Sequence, residues 1–139
     1  MPVDTKVVES RIRKIEESVV RLREIAEMPG NPFLSDPRTY PAMERHFQVA
    51  IQSVLDIGAH LIAEQGLREP EGYTDILGIL GEAGVIPREF SERIQGMAGL
   101  RNILVHDYMI VDRERLTRLL QDLDDFGSFC RYVAEYIHR

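Results

Sequence analysis

The chain has 139 residues, a length that suits one domain with its own core; 44% are apolar and 29% charged, a globular balance rather than a disordered one. Its formal net charge of −6 argues against a protein that coats nucleic acid, although a local arginine cluster can still hold one phosphate on an acidic surface. No run approaches the roughly 18 apolar residues of a membrane span and "MPVDTKVVES" lacks an apolar signal region, so a cytoplasmic location with no membrane association is expected.

Four long helical patterns and one short one are predicted, with no alternating strand pattern. In the first, Val8, Ile12, Ile15, Val19, Leu22 and Ala26 recur at steps of four and three and form one apolar stripe, ended by the breaker "PGNP" at 29–32. The second runs from about Thr39 to Gln65, with Met43, Phe47, Ala50, Val54, Ile57 and Leu61 on the stripe. Ile51, Leu55 and Ile62 widen it, so this helix is expected at the centre, touching several neighbours. Gly66 and Pro70 close it. A short helix follows around "TDILGILGEAG", weakened by its glycines. The fourth starts near Pro87, tolerated in a first turn, and carries Phe90, Ile94, Met97 and Leu104. The fifth carries Leu116, Leu119, Leu123, Phe126, Cys130, Val133 and Ile137. Short connections favour antiparallel neighbours, so the expected architecture is all-α, an up-and-down antiparallel bundle of four long helices plus one short helix, with residues 1–139 as a single domain.

Of the 17 basic residues, all but Lys6 and Lys14 are arginine, the residue suited to bidentate carboxylate or phosphate pairing. Cys130, the only cysteine, lies among apolar residues at helical spacing and is expected to be a buried structural thiol rather than a nucleophile. The four histidines and one cysteine show no paired ligand spacing, so no metal site is expected.

The anomaly is in the fourth helix. Its stripe runs Phe90, Ile94, Met97, then Arg101, then Leu104, with Tyr108 next, while Ala98, Asn102 and His106 form a neighbouring row. A cation on a core-facing stripe costs free energy unless it meets a carboxylate, a phosphate or a wet groove. Two readings stand on spacing alone. Arginine and histidine in a last turn meet the helix dipole and a tyrosine can tether a loop. Alternatively, Arg101 neutralises a phosphate while His106, with its near-neutral pKa, exchanges protons and Asn102 supports them. Arg101 and His106 stand about 140° apart around a regular helix, so the helix must end between them or two copies must share a site.

"RNILVHDY" resembles the Arg-x4-His-x-Tyr motif of HepT-like toxins of the HEPN superfamily, all-helical RNases, with Arg101, His106 and Tyr108 in the defining positions and Asn102 as the polar residue after the arginine. "ERHFQVAIQSVLDIGAHLI", "GYTDILGILGEAGVIP" and "LDDFGSF" resemble other helices of that family, and the likeness spans roughly residues 5–137. The resemblance implies a toxin of a type VII-like toxin-antitoxin system: a metal-independent endoribonuclease, active as a homodimer, in which the RNA 2′-hydroxyl attacks its adjacent phosphate. His106 would act as general acid or base and Arg101 would stabilise charge on the phosphate. It also implies a minimal nucleotidyltransferase antitoxin that transfers AMP from ATP onto Tyr108 and so inhibits the enzyme; RNA cleavage itself needs no cofactor. The competing readings are a non-catalytic nucleotide- or partner-binding subunit of a nucleotidyltransferase complex and a helical dimerisation scaffold.

Other polar residues carry weaker signals. Arg45, Gln52 and Asp56 lie near one line of the second helix, with His60 four beyond, and Asp56 could pair with Arg101 or Arg45 in a polar network. His46 and His60 read as ordinary helix residues, His138 as a frayed end, and "RERLTR" at 113–118 as a solvated helix start.

Overall fold

Residues 4–30, 36–106 and 113–139 are described in a computed structural model of the chain, and no strand occurs among them. The helices are α1 (Thr5–Ala26), α2 (Thr39–Glu64), α3 (Tyr73–Glu82), α4 (Arg88–Ile94), α5 (Gly96–Val105), α6 (Arg113–Leu119) and α7 (Asp124–Ile137). Asp4 opens α1 as an N-cap, its carboxylate accepting from the Lys6 amide at 3.0 Å. The buried face of α1 is Val8, Ile15, Ser18, Leu22 and Ile25, flanked by partly buried Ile12 and Val19, while Ala26 is exposed.

The broad apolar face of α2 does what its width predicts. Met43, Phe47, Ala50, Val54, Leu55, Ile57 and Leu61 are buried, and α2 packs against α1, α3, α5 and α7. Its C-terminus closes on Gly66, whose φ of 64° lets the amides of Gly66 and Leu67 return to the carbonyls of Ala63 and Ile62. Arg68 then reaches across the loop to Asp75 at 2.7 and 2.9 Å and to Glu82 at 3.1 and 3.2 Å. This clasp fixes α3 beside the end of α2 and holds the Asp75 carboxyl below the usual range.

Close approach of α2 and α3 depends on Gly58. A Cβ there would lie 2.5 Å from Ile76 Cγ2 and 3.2 Å from Leu80 Cδ1. Ile76 is β-branched and buried, with little freedom to move aside. Gly58→Ala gains about 1 kcal/mol of helix propensity, but overpacking costs about 1–3 kcal/mol. A lower urea midpoint at unchanged m-value is the expected outcome; an unchanged or raised midpoint would show that α3 yields freely.

Two of the predicted long helices are each divided in two. The fourth bends at Gln95–Gly96 between α4 and α5, where glycine weakens the helix, Arg115 draws on the Gly96 carbonyl at 3.2 Å and the Gln95 amide side chain donates to the Thr74 carbonyl. The fifth is interrupted between Leu119 and Asp124. Asp122, Asp124 and Asp125 are poor helix formers that favour a new N-terminus, where their charge meets the positive end of α7. Arg93 of α4 binds Asp125 at 2.9 Å and approaches Asp122 at 3.5 Å, joining the two breaks. Ser91, buried, donates to the Leu77 carbonyl at 2.9 Å and ties α4 to α3.

Candidate active site

Arg101 sits one turn before the end of α5, half-buried on the side that faces α2 and α3. Its Nε donates to Gln52 Oε1 at 2.8 Å, and its Nη1 donates to Asn102 Oδ1 at 3.1 Å. The Tyr73 ring, at the first position of α3, lies 4.0 Å below the guanidinium carbon, well within cation–π range. The Gln52 amide is oriented by its other end, where Nε2 donates to Asp56 Oδ1 at 2.8 Å. Asp56 Oδ2 pairs with Arg11 Nε of α1 at 3.4 Å. Five polar side chains therefore run across three helices in one line, Arg11–Asp56–Gln52–Arg101–Asn102, with Tyr73 of a fourth helix capping the face of Arg101.

The charge balance along this line is uneven. Asp56 is neutralised by Arg11, and the aspartate reaches Arg101 only through a neutral amide. Among the described residues Arg101 makes no ion pair, whereas Arg11, Arg23, Arg68 and Arg93 each hold a carboxylate. A half-buried guanidinium whose partners are two neutral amides and an aromatic ring keeps its charge available to an anion.

The helix ends between Arg101 and His106. α5 stops at Val105, and His106 is its C-cap in extended conformation, φ −96° and ψ 105°, with an exposed residue surface. The extended ψ turns the chain that follows His106, whereas its own Cβ, set by helical Val105 and a φ within about 35° of the helical value, keeps the bearing of about 140° from Arg101. Tyr108 lies outside the described residues.

Asp56 meets Arg11 and Gln52 rather than Arg101 or Arg45 directly. Arg45 is exposed, eleven residues before Asp56 on the same helix and hence about 16 Å along its axis, too far to join it. Sequence spacing placed Gln52 and Asp56 on one line but gave no sign of Tyr73 or Arg11, because their contacts join separate helices. Cys130 is buried, and burial with Glu16 nearby pushes its thiol up to about 12, which leaves it protonated and inert. His46 is half-buried beside Arg21, and desolvation holds its pKa below the usual value. The His60 Nε2 is buried with no hydrogen-bond partner among the described residues. Among the described residues no group of three or more His, Cys, Asp and Glu is placed to hold a metal ion, and no helix is long and apolar enough to cross a membrane.

The chain is similar to the mRNA nuclease HepT of Shewanella oneidensis, 26% identical over 124 residues that cover 88% of this chain and 92% of that protein. It is 23% identical over 138 residues to the tRNA nuclease HepT of Aphanizomenon flos-aquae, covering 97% and 92%. Its fold matches that of the tri-AMPylated Shewanella oneidensis HEPN toxin, solved in complex with an MNT antitoxin, with a TM-score of 0.83, 25% identity and coverage of 93% and 97%. The family model for ribonuclease HepT-like proteins matches residues 15–133, a span that holds every member of the polar line except Arg11, and His106 with them, and the chain belongs to the ribonuclease HepT-like family.

Proposed function

We propose that this protein is the ribonuclease toxin of a toxin-antitoxin pair, cleaving RNA without a metal as a homodimer and silenced by AMPylation of Tyr108. The observation that carries the proposal is Arg101: a guanidinium held by Gln52, Asn102 and Tyr73, with no carboxylate on it among the described residues, five residues from an exposed histidine at a helix break. In the reaction the RNA 2′-hydroxyl attacks the adjacent phosphorus, the bond to the 5′-oxygen breaks, and a 2′,3′-cyclic phosphate is left. Arg101 neutralises charge growing on the non-bridging oxygens. His106 exchanges the proton of the attacking or leaving oxygen, a task for which imidazole is matched near neutral pH. Asn102 accepts from Arg101 and restrains its swing. The antitoxin would be a minimal nucleotidyltransferase that uses ATP as the AMP donor.

Incubating purified protein with RNA in EDTA tests the reaction class. Strand scission leaving 2′,3′-cyclic phosphate ends is the expected result. Intact RNA, or scission that appears only when a divalent cation is restored, would overturn it and favour a non-catalytic nucleotide- or partner-binding subunit.

A further inference from the structure

Resting on that reading, we propose that Gln52 and Tyr73 are positioning residues for RNA cleavage, forming a cradle that aims the Arg101 guanidinium at the scissile phosphate. The guanidinium has a flat face and three nitrogen corners. Tyr73 takes the face at 4.0 Å, Gln52 takes the Nε corner at 2.8 Å and Asn102 takes Nη1 at 3.1 Å. Nη2 has no partner among the described residues, so the cradle fixes the plane and leaves one edge for a phosphate oxygen.

Gln52 is chemically suited to this place because it is neutral. An arginine offers only donors, so the amide must present its oxygen to Nε and turn its NH2 to Asp56. The Asp56 carboxylate polarises that amide, and Arg11 in turn offsets the aspartate. A carboxylate at position 52 would hold Arg101 in the same place but cancel the charge the phosphate needs. The amide transmits orientation and withholds neutralisation. Tyr73 works at right angles to it: the ring blocks rotation of the guanidinium out of plane, and α3 is itself clasped to the loop after α2 through Arg68, Asp75 and Glu82.

A double-mutant cycle reads whether these residues act through Arg101. Gln52→Leu and Tyr73→Ala are each expected to lower kcat by about 10- to 100-fold with KM within about two-fold, the scale of a misplaced catalytic group. Tyr73→Phe keeps the ring and is expected to stay within about two-fold of wild type. In an Arg101→Lys background, where neither the Nε bond nor the planar stack exists, Gln52→Leu should cost less than about two-fold. An equal loss in both backgrounds would mean a merely structural role and overturn the proposal, as would a Gln52→Leu enzyme with wild-type kcat. Gln52→Asn, shorter but still polar, guards against a folding defect: it should melt as wild type does and still lose kcat, and normal kcat there overturns the proposal. If Arg101→Ala and His106→Ala cleave RNA as well as wild type, the proposed ribonuclease reading itself has failed; if they are dead while Gln52→Leu is fully active, only the cradle has.

Discussion

His106→Ala is expected to reduce RNA cleavage by about 10²–10⁴-fold, the usual worth of a positioned general acid or base, and Arg101→Ala by about 10²–10³-fold, the worth of one donor to a developing oxyanion. Neither substitution should lower stability by much. His106 is an exposed residue past the last turn of α5, and Arg101→Ala removes a half-buried cation that has no ion pair among the described residues to lose. The pair also tests how the site is assembled. If each site takes its arginine from one subunit and its histidine from the other, a heterodimer of the two inactive chains contains one site with both groups intact. Co-expressing Arg101→Ala and His106→Ala chains under different affinity tags, then purifying the mixed species, should restore up to half the wild-type rate. A heterodimer as inactive as its parents would place each complete site within one subunit. The angle of about 140° between Arg101 and His106 makes this a real question, since His106, the C-cap directly after Val105, stays close to the bearing that α5 imposes.

Apolar periodicity was enough to locate the helices because burial repeats at the helical period wherever one face meets a core. Val8, Ile15 and Leu22 on α1, or Phe47, Val54 and Leu61 on α2, could be placed inside without any knowledge of their neighbours. The two breaks were less legible. Leu119 and Leu123 stand four apart, and the apolar steps run on through the interruption between them, so nothing in periodicity marks it; its cause lies in acidic residues that gain more at a helix start. Gly96 does the same between Ile94 and Met97, with Arg115 from α6 completing the bend.

The site was half legible for a related reason. An arginine on an apolar stripe announces an exception, because a polar group at a core-facing position must have something to meet. What it meets cannot be read from local spacing. Gln52, Tyr73 and Arg11 come from α2, α3 and α1, and their convergence depends on how the helices cross and on the room that Gly58 leaves between α2 and α3. Sequence spacing offered Arg101 or Arg45 as partners for Asp56; Arg11 on the adjacent helix lies across from it, Arg101 is reached through Gln52, and Arg45 is three turns away on its own helix.

Modification of Tyr108 should silence the enzyme by competing for the same cation that RNA uses. AMPylation joins the tyrosine oxygen to the α-phosphorus of ATP and releases pyrophosphate, leaving a phosphodiester anion two residues beyond His106 in the chain. Such an anion forms charge-assisted hydrogen bonds with a guanidinium far better than a neutral phenol does. Arg101, lacking a carboxylate among the described residues, is the arginine of the motif with capacity to accept it. Co-expression with a minimal nucleotidyltransferase and ATP is therefore expected to add whole AMP units to the wild-type chain, seen by intact mass, and to lower cleavage by at least about 100-fold, the loss of one phosphate-stabilising donor. Tyr108→Phe should keep its mass and its activity under the same conditions. Arg101→Lys separates occlusion from charge capture, because lysine keeps the charge but loses the bidentate fork: if the AMP anion silences by capturing the guanidinium, the fraction of activity lost on modification should be smaller in that variant. Modified wild-type protein that still cleaves RNA, or a Tyr108→Phe chain that gains AMP and falls silent, would move the switch to another residue.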